Sequence, residues 1–172
     1  MKRLTLIRHA KSSWKHPELV DHDRPLNKRG RRDAPRMAER LRAAGFAPDV
    51  MLTSTAVRAR VTCSAIVETC RLGDVVRSNR ALYHADLEDV LEVVAAVDRL
   101  CDGALGHIAV VGHNPGLTEL LEWLTHAGID NVPTCAVASV EIDGDSYIPT
   151  TGAARLVDYA TPKNDPALEA KA

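Results

Sequence analysis

The chain opens with a short apolar run, Leu4-Thr5-Leu6-Ile7, that stops abruptly at Arg8-His9. A run this short, bounded by charge, reads as a buried strand. Such a strand delivers the side chains that follow it to the edge of a sheet. Two later runs end in the same way. Asp49 to Thr53 stops at Ser54, and His107 to Gly112 stops at His113-Asn114-Pro115-Gly116. Val75 to Arg77 is a shorter strand candidate.

Helical spacing separates these strands. Asn27 is expected to cap a helix that Gly45 ends, with Pro35 kinking it or delaying its start. Ser54 or Thr55 is expected to cap a second helix carrying Ala59, Cys63, Ile66, Val67 and Cys70 on one face. Asp86 begins a third, where Leu87, Val90, Leu91, Val94 and Val97 recur at helical intervals. Asn114 is expected to cap a fourth, with Pro115 in its first turn and Leu117, Leu120, Leu121 and Leu124 as its apolar stripe. Ala136 to Ile142 and Ala154 to Tyr159 read as closing strands around a Gly144-Asp145 turn. Strands alternating with helices predict a three-layer α/β/α sandwich with a mostly parallel central sheet. The segment Ala10 to Pro25 is polar and irregular, a long loop of the kind that often carries function.

At 172 residues the chain suits one domain, expected over 1–161, with a polar tail at 162–172 that frays. A formal net charge of −1 and an aromatic content of 3% argue against a nucleic-acid-coating surface. Cys63, Cys70, Cys101 and Cys135 form no C-x-x-C pair and read as small hydrophobes in a reducing compartment. The apolar run after Met1-Lys2-Arg3 is too short for a signal peptide or a membrane span. A cytoplasmic protein is expected. Between Arg24 and Arg42, eight arginines and lysines face only Asp33 and Glu39. That stretch is a solvated helix face or a docking surface for an acidic phosphoprotein.

In a parallel sheet, ligands bind beyond the carboxyl ends of the strands. Arg8, His9, Ser54, Arg58 and His113 all fall there. Two guanidiniums provide planar donor forks for phosphate oxygens. A helix starting near Asn114 adds backbone N–H groups. A neutral imidazole in such a site can attack phosphorus, while arginines and a second, protonated imidazole stabilise the equatorial oxygens. Nearby positive charge depresses a histidine pKa and helps to keep the nucleophile unprotonated. Zinc on His9 and His113 is disfavoured, because no carboxylate or thiolate lies at ligand spacing.

These residues also fall into motifs. Leu6-Ile7-Arg8-His9-Ala10 resembles the "RHG" signature of the histidine phosphatase (phosphoglycerate mutase-like) superfamily. Ser54 to Thr62 resembles its S-x-x-x-R-A-x-x-T segment, and Val111-Gly112-His113-Asn114 its second-histidine motif. Asp23-Arg24-Pro25-Leu26-Asn27-Lys28-Arg29-Gly30 resembles the "RPLT-x-x-G" segment entering the first helix. Short length and Leu82-Tyr83-His84-Ala85-Asp86 are similar to the SixA-type branch, the protein-phosphohistidine phosphatases.

The resemblance implies a phosphoglycerate mutase-like fold, His9 as nucleophile, and Arg8, Arg58 and His113 as holders of the phosphoryl group. Arg24, His84 and Asn114 join them as expected substrate-binding residues, although His84 equally reads as a turn cap. No metal or organic cofactor is implied. The expected partner is a phosphorylated protein, such as a histidine phosphotransfer domain, or a small phosphorylated metabolite, with neither nucleic acid nor membrane. A non-catalytic phosphate-binding module is the remaining alternative. The motif's glycine is Ala10 here. No general acid is evident either, since Asp86 and Glu88 equally suit capping and starting the third helix. That gap weighs less for a phosphoramidase than for a monoesterase, because the P–N bond of phosphohistidine is labile.

Overall fold

The computed structural model describes residues 1–147 and 150–164. Among these residues six strands form one sheet: β1 (Lys2–Arg8), β2 (Val50–Ser54), β3 (Val76–Asn79), β4 (His107–Gly112), β5 (Val137–Ile142) and β6 (Ala154–Ala160). Their order is β3-β2-β4-β1-β5-β6. The first four are parallel, and β5 and β6 close the sheet in antiparallel fashion. Four helices connect them: α1 (Lys28–Ala43), α2 (Val57–Cys70), α3 (Leu87–Leu100) and α4 (Gly116–Thr125). The α/β layering and mostly parallel sheet are those expected from the alternation of patterns. Among the described residues no helix is long and apolar enough to cross a membrane.

Strand β1 is central because both of its faces are apolar. Leu4 and Leu6 point to one side and Ile7 to the other, all at most 1% exposed. On the first side they pack with Val94 of α3 and with Leu117, Leu120, Leu121 and Leu124 of α4. On the second, Ile7, Met51, Ala109, Val111 and Val137 pack against Ala34, Met37 and Ala38 of α1 and Ala59, Cys63 and Ile66 of α2. Truncating one of these large side chains to alanine would cost about 2–5 kcal/mol.

Several local expectations need correction. Asn27 caps α1 as expected, accepting from Gly30 N at 2.9 Å, and α1 is continuous from Lys28 to Ala43 with Pro35 inside it, so Pro35 does not delay its start. Packing of its apolar face outweighs the one missing N–H. Helix α2 starts later than expected, after Ala56, with no side-chain cap. Ser54 and Thr55 are used elsewhere: Ser54 Oγ meets His113, and Thr55 Oγ1 meets His22. Asn114 does not cap α4 either, because Pro115 holds that position and the Asn114 amide is bonded to the 131–132 loop. Asp86 does cap α3, in a reciprocal box with Asp89. Strands β5 and β6 fall where the two closing runs were expected, and Gly144 between them takes a positive φ of 100°. Of the tail, residues 161–164 form a turn in which Thr161 N donates to Asn164 Oδ1 at 2.6 Å, and the rest of the expected fraying lies outside the described residues.

Candidate active site

Strands β1, β2 and β4 end at one edge because their registers align. Arg8 lies beside Gly112, and Thr53 beside Val111. His9 therefore follows β1 at a fixed height. Its N–H donates to the Gly112 carbonyl at 3.1 Å, and its own carbonyl accepts from Cys135 N at 3.1 Å. The next residue, Ala10, is fully buried, and its N–H donates to Thr62 Oγ1 at 3.0 Å. Thr62 in turn donates to the Arg58 carbonyl at 2.7 Å. Thr62 thus ties the backbone beyond His9 to the helix that carries Arg58. Ala10 is not among the residues with positive φ, so alanine replaces the motif's glycine without strain.

His9 is 8% exposed, and its Nδ1 lies 2.7 Å from the Ala10 carbonyl. A carbonyl only accepts, so Nδ1 carries the hydrogen and Nε2 of the neutral ring keeps its lone pair. Burial pushes the His9 pKa down to about 4, and Arg58, Arg8 and Arg24 add to that against the Ala10 hydrogen bond. The His113 ring sits 4.9 Å from that of His9, centre to centre. Its Nε2 is 2.7 Å from Ser54 Oγ. Burial, then His9 and Arg58, push the His113 pKa down to about 3. Burial thus works against the protonated second imidazole that the sequence suggested, and favours a neutral His113 bonded to Ser54.

Arg58, in the first turn of α2, is buried and reaches the short 3-10 turn Asp21–Asp23. Its Nη1 donates to the Asp21 carbonyl at 2.6 Å and its Nη2 to Asp21 Oδ2 at 2.9 Å. Arg8 donates from Nη1 to the Val132 carbonyl at 2.7 Å. Asn114 Nδ2 donates to the same carbonyl at 3.1 Å and to Asn131 Oδ1 at 2.9 Å. Arg8 Nε and Asn114 Oδ1 are buried without a protein partner.

Arg24 lies in the loop expected at 10–25. It is buried, and all three of its nitrogens are engaged: Nε to the Ser13 carbonyl at 2.9 Å, Nη2 to Ser12 Oγ at 2.6 Å and Nη1 to Asp21 Oδ1 at 2.6 Å. The Trp14 ring stacks over it at 3.3 Å. His84 lies at the rim in left-handed backbone, φ 59°. Its ring is 4.1 Å from that of Tyr83 and its Nε2 is 3.8 Å from Asp21 Oδ2.

The structure thus brings His9, His113 and Arg58 around one recess, with Arg8 and Asn114 on the 131–132 side and Arg24 bonded within the loop. A cavity of about 430 Å³ between α2 and β3 is lined by Arg60, Val61, Cys63 and Val67 and contains none of these residues. Sequence reasoning placed Ser54 at the strand ends but read its side chain as a helix cap, whereas it orients His113; it missed the roles of Tyr83 and Asp21. Tyr83 OH donates to Asp21 Oδ2 at 2.8 Å. Asp21 itself accepts from Arg24, Arg58 and Tyr83. Burial alone would raise its pKa, but these three hydrogen bonds hold the carboxyl well below the usual carboxylate range. The one available signal was an acidic residue three positions before Arg24. Among the described residues no three His, Cys, Asp or Glu side chains are grouped to hold a metal ion.

Residues 4–89 match the family model described as histidine phosphatase superfamily, branch 1. An uncharacterized chloroplastic protein of Arabidopsis thaliana is 32% identical over 151 residues, spanning 85% of this chain and 69% of that protein. Among solved structures, a putative phosphohistidine phosphatase SixA from Agrobacterium tumefaciens superposes with a TM-score of 0.77 at 28% identity, covering 94% of this chain and 99% of that one. The protein histidine phosphatase SixA complexed with tungstate shares the fold, with a TM-score of 0.78 at 21% identity over 94% and 98% of the two chains. With the Arg8-His9 strand end facing His113 and Arg58, these matches identify the chain as a phosphatase of the histidine phosphatase superfamily, built on the SixA pattern.

Proposed function

We propose that this phosphatase hydrolyses phosphohistidine on a protein through a phosphoryl group carried on His9. The observation that carries this reading is the hydrogen bonding of the site: His9 Nδ1 is bonded to the Ala10 carbonyl, which leaves Nε2 free, and the Asp21 carboxylate is shared by Arg24, Arg58 and Tyr83. Burial pushes the His9 pKa down to about 4, and those three hydrogen bonds hold the Asp21 carboxyl well below the usual carboxylate range. A carboxyl with so low a pKa is a poor proton donor at neutral pH. The site thus suits a leaving group that needs no strong acid. An imidazole protonated on its distal nitrogen departs neutral, whereas an alkoxide does not.

In the first step the Nε2 lone pair of His9 forms a bond to phosphorus. The P–N bond to the substrate imidazole breaks, and its electron pair returns to that ring. Arg8 and Arg58, with a neutral donor from His113, stabilise the equatorial oxygens. Water then bonds to phosphorus as the P–Nε2 bond breaks, and both water protons leave with the product as dihydrogen phosphate. The similarity to SixA proteins supports a protein substrate. The four free cysteines, two of them buried, fit a reducing cytoplasm.

The test compares turnover of a phosphohistidine protein with that of p-nitrophenyl phosphate and sugar phosphates. The expected result is a kcat/KM on the phosphohistidine protein at least about 10²-fold above the esters, the scale at which one or two extra transition-state contacts act. Equal or better turnover of a sugar phosphate would replace this reading with a metabolite phosphatase.

A further inference from the structure

The Asp21–Asp23 turn carries one carboxylate that three other segments share. Asp21 accepts from Arg24 of the loop, from Arg58 of α2, and from Tyr83 beyond the 3-10 turn Arg80–Leu82. Its main-chain carbonyl also accepts from Arg58, so side chain and backbone together grip that guanidinium. Arg24 and Arg58 are 6% and 5% exposed, and Asp21 is the salt-bridge partner of each. Buried cations need a counter-charge, and here one anion serves two of them. The pair keeps a surplus of positive charge for an incoming phosphoryl group. The Asp21 side chain itself is 36% exposed, so it faces the opening rather than the core.

We propose that Asp21 is a positioning residue for phosphoryl transfer, fixing Arg58 against His9 while remaining outside the proton inventory of the reaction. This rests on the phosphoryl-transfer chemistry proposed above but not on the identity of the leaving group. Two effects of the carboxylate oppose each other. Its negative charge beside the hollow repels a bound dianion, which weakens ground-state binding. Its hydrogen bonds hold the Arg58 fork where charge develops in the transition state, which raises kcat. A general acid, a mere fold brace and a positioning residue therefore predict different patterns.

The experiment measures kcat and KM of Asp21→Asn on p-nitrophenyl phosphate, and the Kd of inorganic phosphate by calorimetry. The expected result is a kcat lowered by about 10²-fold, the scale of an ångström-sized misplacement, with a phosphate Kd unchanged or tighter. Wild-type kcat would overturn the proposal. So would a phosphate Kd loosened as much as kcat/KM falls, because the loss would then be one of binding. Disappearance of the alkaline limb of the kcat–pH profile in the variant would make Asp21 a proton donor and also overturn it. Tyr83→Phe removes one donor to the same carboxylate without adding or deleting charge, and serves if Asp21→Asn does not fold. It should lower kcat several-fold at unchanged phosphate Kd, and wild-type kcat there would count against the proposal. A wild-type enzyme that turns over p-nitrophenyl phosphate but not the phosphohistidine protein would sink the substrate reading alone.

Discussion

Two walls enclose the recess, and they are held by different physics. The sheet-edge wall carries His9 and His113, placed by strand register and main-chain hydrogen bonds to Gly112 and Cys135. The loop wall carries Asp21, Arg24, Tyr83 and His84, placed by side-chain contacts with one another. The first wall is buried, and that burial pushes the pKa of both imidazoles down. The second reaches the surface, where His84 and Trp14 are exposed. Arg58 spans the two, anchored to Ala10 through Thr62 on one side and to Asp21 on the other. The difference teaches that the nucleophile's position comes with the fold, whereas the anion-binding surround must be assembled.

The largest effect should fall on the sheet wall. His9→Ala should lower turnover by at least about 10⁴-fold, the scale of losing a covalent nucleophile, and abolish acid-labile capture of phosphate. Retained activity in a steady-state assay would refute the assignment of His9. Next comes the bridge between the walls. Arg58→Ala should lower kcat/KM by about 10²–10³-fold, as for one lost oxyanion donor, and a loss no larger than for a surface arginine such as Arg60 would break the comparison.

Acid should act through the buried wall. His9 and His113 titrate at about 4 and about 3 when folded, below the ordinary histidine value of about 6.5. Groups with depressed folded pKa values favour the unfolded state as it binds protons first. Their stabilisation is complete above pH 6.5 and is lost as pH falls toward 4. His107 titrates at about 4 for the same reason, burial, and adds to the slope. Urea midpoints should fall between pH 7 and 4.5, and His113→Gln should flatten that fall. A pH-independent midpoint would show the imidazoles to be solvated. The smallest effect belongs to the loop wall. Trp14→Ala removes the ring over Arg24 and should cost about 0.5–1 kcal/mol in a urea melt. A loss of several kcal/mol would mean that the loop is as deeply fixed as the strands.

Much of the first wall was legible in the sequence. An apolar run ending in Arg8-His9, and another ending in Gly112-His113, state both a buried strand and the side chains at its end. Asn27 and Asp86 were readable as caps because their bonds are local, to Gly30 and Asp89. Ser54 and Asn114 were not. Each has the chemistry of a cap, but a partner distant in sequence, His113 for one and the 131–132 loop for the other, takes the side chain instead. Asp21 was invisible for the same reason, since two of its three donors lie 37 and 62 residues away.

By itself, then, the sequence determined the alternation of strand and helix, the apolar faces that form two cores, and which residues stand at the strand ends. Those follow from periodicity and from where hydrophobic runs stop, both local properties of the chain. Only the tertiary structure decided that His113 is buried and bonded to Ser54, that Asp21 gathers Arg24, Arg58 and Tyr83, and that Arg24 is committed to the loop. Burial and the pairing of distant charges set these features, and both exist only once the chain has folded.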